Sequence, residues 1–262
     1  MSPLALEISP PVARITLCRP PVNALNADML DRFEDALAQI ERCEEVSVVL
    51  LRSGERVFCA GADLPTVGGF LQTSQPGEAL TAYAGRLQRM VDRLEALAAV
   101  TVCALDGVAA GGGFEVALAA DFRLASDRVR LSLPELALGL IPAAGGTQRL
   151  VRLAGLGVAR RMILRGVTLD AQQAQSAGIV DEVFAADAFD SGVEKFVQEL
   201  AGGSPRALKA AKLCLRQASP LASSGLAAEL DEIARLIEGP DARQRLVGFL
   251  NRAQRAAQKT GI

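Results

Sequence analysis

Residues 106–149 decide the fold, and their sequence is DGVAAGGGFEVALAADFRLASDRVRLSLPELALGLIPAAGGTQR. Three consecutive glycines come before Glu115, which lies in an apolar helical pattern. Glu135 follows in the run Pro134-Glu-Leu, among small or apolar neighbours. Two carboxyl groups in apolar settings beside a glycine-rich turn suit acid–base chemistry on a carbonyl compound. We therefore expect the functional site in this segment, with the rest of the chain as its frame.

Outward from this segment, apolar runs that suit strands alternate with helical patterns. Strands are predicted at Leu4–Ser9, Val12–Leu17, 46–51, 57–59, Val100–Leu105, 122–125, 129–133 and 179–183. Helical spacing predicts one helix capped by Asn26 and others at 79–98, 113–119, 146–153, 156–165 and 188–200. Residues 68–77 are rich in Gly, Ser, Thr and Gln, which predicts a loop. The alternation indicates an α/β fold.

A change of character near residue 201 divides the chain. Gly202-Gly-Ser-Pro205 interrupts the pattern. Helical patterns then follow without any strand, at residues 205–217, 222–237 and 241–258. We therefore predict an α/β core over residues 1–201 that carries the active site, and an all-helical region over residues 202–262.

Composition excludes several classes of function. The chain contains no histidine, which excludes Ser-His-Asp and Cys-His catalysis, most zinc sites and any imidazole general base. Its five cysteines are an odd number without a CxxC pair, so we expect reduced thiols and no metal site. Any chemistry must then rest on carboxylates, backbone amides, hydroxyls or a cofactor.

Charge and hydropathy indicate the expected surroundings of the protein. The formal net charge of −2 gives no reason to expect a nucleic acid as partner. The apolar runs are too short to span a membrane. The N-terminal residues lack the features of a secretory or transit peptide. We expect a cytoplasmic protein with no membrane partner.

Four stretches of the sequence together resemble the crotonase (enoyl-CoA hydratase/isomerase) superfamily, and most closely its enoyl-CoA hydratases. They are Arg19-Pro-Pro-Val-Asn-Ala-Leu25, Phe58-Cys-Ala-Gly-Ala-Asp-Leu64, the glycine-rich run with Glu115, and Pro134-Glu-Leu-Ala-Leu-Gly139 followed by Gly145-Gly-Thr-Gln-Arg149. The resemblance implies a spiral of ββα units with a C-terminal helical trimerisation region, and homotrimers that often pair into hexamers. It also implies an acyl-CoA thioester substrate and no separate cofactor, because coenzyme A is part of the substrate.

The resemblance also assigns the backbone groups of a substrate site. The amides of Ala62 and Gly112 would form an oxyanion hole for the thioester oxygen, where losing one donor typically costs roughly 3–4 kcal/mol. Further contacts to substrate and coenzyme A would come from Ala60, Gly61, Asp63, Leu64, Gly111 and Gly139. Taken alone, residues 60–64 would be an ordinary strand-to-helix turn with Asp63 as the helix cap.

The glutamate pair indicates the reaction. Burial raises the pKa of a carboxyl group, and two carboxyls that face one cavity can share a proton and so supply acid and base together. Members of the superfamily with glutamates at both positions typically hydrate 2-enoyl-CoA to 3-hydroxyacyl-CoA. By this resemblance Glu115 binds and activates the water, and Glu135 delivers the proton to the α-carbon.

Three alternatives stay open at this point. The first is a Δ3-Δ2-enoyl-CoA isomerase, since isomerases of the superfamily generally need only one such acid. The second is a hydratase of cyclic enoyl-CoA compounds from aromatic degradation. The third is a non-catalytic or RNA-binding protein with the same fold, against which the near-neutral charge and the intact glutamate pair both argue.

Overall fold

The computed structural model describes residues 2–218 and 223–260 of the 262-residue chain. Its strands are β1 (Leu4–Ser9), β2 (Val12–Leu17), β3 (Val48–Ser53), β4 (Val100–Leu105), β5 (Val108–Ala110), β6 (Phe122–Ser126), β7 (Arg130–Ser132), β8 (Leu169–Asp170) and β9 (Glu182–Phe184). Its helices are α1 (Ala27–Arg42), α2 (Leu64–Phe70), α3 (Pro76–Ala96), α4 (Gly112–Leu118), α5 (Gly146–Leu164), α6 (Ala171–Ser176), α7 (Phe189–Ala201), α8 (Pro205–Ala218), α9 (Ser223–Glu238) and α10 (Pro240–Thr260). A short 3-10 helix, Glu135–Leu138, lies between β7 and α5.

Six strands form the main sheet in the order β1-β2-β3-β4-β6-β9. The pair β1 and β2 is antiparallel, and the other neighbours are parallel. The first four residues of β3 and all six of β4 are buried. Helices α1 and α3 cover one face of these strands and α7 covers the other, which explains their unbroken apolar sequences.

Helix α1 shows how local signals in the sequence determine an element. Asn26 caps it, and its side-chain oxygen accepts a hydrogen bond from Met29 N at 2.9 Å. Met29, Phe33, Leu37 and Ile40 recur at helical spacing, and all four are buried against the core. Burying one such side chain contributes roughly 1.5–3 kcal/mol, so this face holds the helix on the sheet.

A second sheet of three short strands, in the order β5-β7-β8, carries the site. β5 and β7 are parallel, and Cys59 forms a single parallel bridge to Ala109 in β5. The carboxyl ends of parallel strands meet at one edge of a sheet. The residues that follow Cys59, β5 and β7 therefore lie side by side at this edge. They are residues 60–62, 111–112 and 133–135.

Local predictions for three segments were wrong, and one of them is the strand at 179–183, since β9 begins only at Glu182. Residues 57–59 do not form a strand, because only Cys59 pairs with a neighbouring strand, through its bridge to Ala109. Residues 68–77 are not one loop, because α2 and α3 leave only residues 71–75 between them. Asp63 caps α2 by accepting a hydrogen bond from Thr66 N at 3.1 Å, and this cap starts a helix that includes the two glycines.

The C-terminal helices complete one side of the site. α9 packs along α3, and α10 packs against α2 and the 3-10 helix. The apolar side chains buried at these contacts include Val67, Leu80, Ile233, Ile237 and Leu246. Residues 223–260 thus cover the core of their own chain, and a role of the helical region in joining subunits stays a prediction. No helix in residues 2–218 and 223–260 combines the length and apolar character needed to cross a membrane.

Candidate active site

One cavity collects most of the residues that the sequence singled out. It lies at the edge where the small sheet ends, and its walls include Ala60, Ala62, Leu64, Gly111, Gly112, Glu115 and Glu135. Backbone hydrogen bonds fix the three segments there. Ala110 N donates to Cys59 O at 2.9 Å, and Gly111 N donates to Ser132 O at 3.0 Å. The topology of the small sheet therefore brings together residues that are far apart in the chain.

Two backbone amides at this edge are available to a ligand. Neither Ala62 N nor Gly112 N donates a hydrogen bond to any residue that the structure describes. A methyl group built on Gly112 would lie 3.9 Å from Ala62 N, so the two residues lie close together. Amides away from bulk water are nearly always paired. Two amide donors without an acceptor among the described residues thus lie close together at the cavity.

The backbone at Gly111 makes this arrangement possible. Its φ of 51° and ψ of −134° lie in a region that glycine adopts far more readily than other residues. Gly112 follows as the first residue of α4, where a helix leaves its amides without internal partners. Glu115 lies one turn further along the same helix, so the free amide and the carboxyl group share one rigid element.

Glu115 is held in the cavity by two backbone amides. The residue is only 3 % exposed. Its Oε1 accepts hydrogen bonds from Ala144 N and Gly146 N, each at 2.8 Å. These amides belong to the turn that begins α5. A methyl group on Gly146 would lie 2.7 Å from Glu115 Oε1, so the approach depends on glycine there. No hydrogen bond from a described residue reaches Oε2, which leaves that atom available to water.

Glu135 faces the same cavity from the 3-10 helix. Its Oε1 lies 2.9 Å from where a methyl group on Gly111 would stand, which places it beside the segment that carries Gly112 N. Its Oε2 is buried and receives no hydrogen bond from any described residue. A buried carboxyl oxygen without a donor favours the protonated form of the group. The two glutamates thus occupy unequal environments.

The surroundings raise the pKa of both carboxyl groups. For Glu115 the main cause is burial, followed by the negative charges of Glu135 and Glu229, while the two amide hydrogen bonds oppose the rise. Burial also raises the pKa of Glu135, to about 7. Because the two groups interact, they titrate as a pair. Near neutral pH such a pair can hold one proton between its two members.

We expect Glu135→Gln to stabilise the fold at alkaline pH. Folding raises the pKa of this carboxyl to about 7, so the folded state loses stability as pH rises through the interval from the ordinary glutamate pKa to about 7. Glutamine has no proton to lose. Above pH 7 the variant should be more stable than the wild type by about 1–3 kcal/mol, and near pH 4 the difference should vanish.

Urea unfolding at several pH values measures this difference. Glu182→Gln serves as the control, because Glu182 is exposed and the same substitution there should change stability little at any pH. A Glu135→Gln variant that is no more stable than the wild type above pH 8 would show that the carboxyl is not held in an apolar environment.

Three predicted contact residues lie behind the cavity wall. Gly61 binds the neighbouring segment through its carbonyl oxygen. The Asp63 carboxylate caps α2 and also pairs with Arg19 Nη2 at 2.9 Å. Gly139 ends the 3-10 helix with a φ of 74° and packs against Ala242 of α10. Their positions support the shape of the site, and direct substrate contact by these residues stays a prediction.

A third buried carboxyl group, that of Glu229 on α9, was not expected from the sequence. The residue is 3 % exposed, and its negative charge contributes to the raised pKa of both Glu115 and Glu135. A helical glutamate is usually solvated. The signal that could have revealed it is the spacing of four that links Glu229 with Ile233 and Ile237, which puts all three on one buried face.

A comparison with known families identifies the family of the chain. The profile of the family described as "Enoyl-CoA hydratase/isomerase" matches residues 7–257. The chain belongs to the enoyl-CoA hydratase/isomerase family. The family resemblance found in the sequence motifs is thereby confirmed over almost the whole chain.

Individual members of the enoyl-CoA hydratase/isomerase family support the same conclusion. The 2,3-dehydroadipyl-CoA hydratase of Escherichia coli (strain K12) is 36% identical over 254 residues, which are 96% of this chain and 97% of that protein. An enoyl-CoA hydratase from Mycobacterium avium subsp. paratuberculosis K-10 has a TM-score of 0.84 at 27% identity, over 94% of this chain and 98% of that one. The enoyl-CoA hydratase from Bacillus anthracis has a TM-score of 0.77 at 29% identity, over 95% and 96%. The predicted crotonase-type α/β fold is confirmed.

Proposed function

We propose that this family member is an enoyl-CoA hydratase, which adds water reversibly to a 2-enoyl-CoA thioester to give the 3-hydroxyacyl-CoA. The single observation that carries the proposal is the presence of two buried carboxyl groups and two free amides in one cavity. Hydration needs a base for the water, an acid for the α-carbon and donors for the thioester oxygen. The two carboxyl groups can serve as base and acid, and the two amides can serve as the donors.

The oxyanion hole comes first in the proposed mechanism. The thioester oxygen accepts hydrogen bonds from Ala62 N and Gly112 N, so the carbonyl group draws electron density away from the conjugated double bond. The β-carbon then becomes electrophilic. The negative charge that develops on the oxygen is stabilised by amides that were in place before the reaction, which avoids reorganisation during the step.

The glutamate pair handles the protons. Glu115 acts in its ionised form, which its two amide hydrogen bonds favour, and it binds water through Oε2 and takes one proton from it. The water oxygen bonds to the β-carbon, and the enolate that results takes a proton from Glu135. After the step Glu115 carries the proton and Glu135 is ionised. The pair therefore keeps one proton throughout and is reset by transfer between the two carboxyls.

The wall of the cavity indicates the class of acyl group. Among the described residues that line it, the charged ones are Glu115 and Glu135. The remaining wall is almost entirely apolar and includes Leu80, Tyr83, Leu87, Leu138, Ile141 and Ile233. Such a wall suits an uncharged acyl chain. A terminal carboxylate on that chain would lose its hydration without gaining a cationic partner.

We expect strong discrimination against an acyl group with a free carboxylate. The substrate named for the Escherichia coli relative, 2,3-dehydroadipyl-CoA, differs from trans-2-hexenoyl-CoA by a terminal carboxylate in place of a methyl group. The hydratase should prefer hexenoyl-CoA by at least about 100-fold in kcat/KM, since a charge buried without a partner costs several kcal/mol. Equal or better use of the dehydroadipyl thioester would contradict the apolar pocket.

The proposed reaction itself is tested with purified protein and a panel of thioesters. The panel contains trans-2-enoyl-CoA substrates of increasing chain length, a cyclic enoyl-CoA and a 3-enoyl-CoA. Formation of 3-hydroxyacyl-CoA from the trans-2 substrates supports the hydratase. Conversion of the 3-enoyl thioester to the 2-enoyl thioester without hydration would instead establish the isomerase alternative, and turnover restricted to the cyclic compound would establish the cyclic hydratase.

A further inference from the structure

We propose that Glu229 is a positioning residue for Glu115, and that the two carboxylates divide the amides of the turn 144–147 between them. This inference rests on the proposed hydratase function for its kinetic consequences, while the geometry behind it concerns the chain alone. Glu229 comes from α9, in the C-terminal helical region, so the proposal makes that region part of the active site of its own chain.

The amides of the turn alternate between the two carboxylates. Ala144 N and Gly146 N donate to Glu115 Oε1, each at 2.8 Å. Gly145 N donates to Glu229 Oε2 at 2.6 Å, and Thr147 N donates to Glu229 Oε1 at 3.0 Å. The Thr147 hydroxyl also donates to Glu229 Oε1. Four consecutive amides are thus satisfied by two side chains that come from different helices, α4 and α9.

This pattern replaces an ordinary helix cap. Gly145 precedes α5 with a φ of 92° and has no side chain that could accept the first amides of the helix. Those amides have no partners within the helix and carry partial positive charge. Carboxylates from α4 and α9 satisfy them instead. If Glu229 were lost, two of the four donors would lose their acceptor, and Glu115 alone would still accept hydrogen bonds from the amides of the turn.

Other side chains around Glu229 support the same turn. Gln88 of α3 donates to Glu229 Oε2 at 3.4 Å and to Ala143 O at 3.3 Å. Arg149 of α5 donates to Ala144 O at 3.0 Å, and its guanidinium is held by Asp92 and Glu95 of α3. The turn is therefore clamped through its carbonyl groups as well as through its amides.

The charges that face Glu229 come from three elements. Burial raises its pKa, while the bonds from Thr147 and Gly145 and the positive charge of Arg149 oppose the rise. Glu115 on α4 and Glu135 on the 3-10 helix are the negative groups that it influences. Removing the charge of Glu229 should therefore ease the ionisation of both and lower the pKa of the pair.

The test compares Glu229→Gln with the wild type and with Glu232→Gln, a matched change at an exposed residue of the same helix. In glutamine, an NH2 group replaces one of the two carboxylate oxygens, and NH2 cannot accept a hydrogen bond. The backbone N–H of the turn that donates to this oxygen in the wild type therefore loses its acceptor. We expect kcat for hydration to fall by about 10–100-fold with KM changed by less than about threefold, because misplacement of a catalytic group costs rate more than binding. The alkaline limb of the rate profile should move to lower pH.

Glu232→Gln should match the wild type in all of these measurements. Thr147→Val, which removes only the hydroxyl that donates to Glu229, should lower kcat in the same direction by a smaller factor. It provides the kinetic test if Glu229→Gln does not fold. Unchanged kcat and an unchanged pH profile in a folded Glu229→Gln protein would overturn the proposal.

A second readout separates this proposal from the proposed function. Hydrogen exchange at the amides of Gly145 and Thr147 should accelerate at least about tenfold in Glu229→Gln, and remain at the wild-type rate in Glu232→Gln. A wild-type protein without hydratase activity would refute the proposed function, and the exchange experiment would still decide the role of Glu229. Exchange at the wild-type rate in the folded Glu229→Gln protein would overturn that role whatever the reaction proves to be.

Discussion

Glu115→Gln and Glu135→Gln are each expected to lower kcat for enoyl-CoA hydration by a factor of about 10³ or more. General acid–base catalysis by a positioned group typically contributes about 10²–10⁴-fold, and here each glutamate also depends on the proton held by the other. Glutamine keeps the size and polarity of the side chain and removes its ability to exchange a proton. Binding of the thioester should survive, because the two free amides are backbone groups that neither change removes.

The measurement is the loss of absorbance of the conjugated thioester under saturating substrate. Glu182→Gln is the matched control, since Glu182 is exposed on β9 and should leave kcat unaltered. Thermal unfolding of each variant verifies that the fold is intact. Wild-type kcat in either Glu115→Gln or Glu135→Gln would exclude the two-carboxyl mechanism.

Replacing Gly112 with proline should remove one donor of the oxyanion hole and put the ring carbon Cδ in its place. Gly112 is the first residue of α4, a position where proline is well tolerated because the amide has no helical partner. Gly112→Ala is the matched control. It adds the same β-carbon, which would meet the flexible side chains of Leu87 at 3.0 Å and Leu25 at 3.3 Å, and it keeps the N–H group. The Pro variant should be slower than the Ala variant by about 10²–10³ in kcat.

The comparison between the two variants separates the effect of the added β-carbon from the replacement of the N–H group by the ring carbon Cδ. Both proteins should show similar unfolding temperatures, which checks that the helix still forms. Equal kcat in the two folded variants would mean that Gly112 N does not stabilise the charge on the thioester oxygen. In that case Gly112 would serve only the packing between α4 and α3.

The main sheet was accessible to prediction because its strands carry their own signals. β1 and β2 were predicted with their observed bounds, and β4 was as well, since each is an apolar run between clear turn residues. Short elements were less accessible. β5 has three residues between glycines, and its strand character depends on pairing with β7 and Cys59, which are distant in sequence.

The residues of the site also differ in how far the sequence alone predicts them. Glu115 and Glu135 stand out in the sequence because their neighbours are apolar. Ala62 and Gly112 followed only from the family resemblance, since a free amide has no signature in a single sequence. Glu229 lies in a stretch with Asp231 and Glu232, which suggests a solvated face, and its burial results from the packing of α9 on α3. The spacing of four that it shares with Ile233 and Ile237 is the sequence signal for a buried position, and the contacts of the folded chain confirm that burial.

The most direct test of the central claim is the fate of the oxygen atom of water. The wild-type protein is incubated with trans-2-hexenoyl-CoA in water labelled with heavy oxygen, and the products are analysed by mass spectrometry. We predict 3-hydroxyhexanoyl-CoA that carries one labelled oxygen at the β-carbon, and none in the products of Glu115→Gln and Glu135→Gln over the same time. Turnover of the thioester by the wild type without label at the β-carbon would contradict the account.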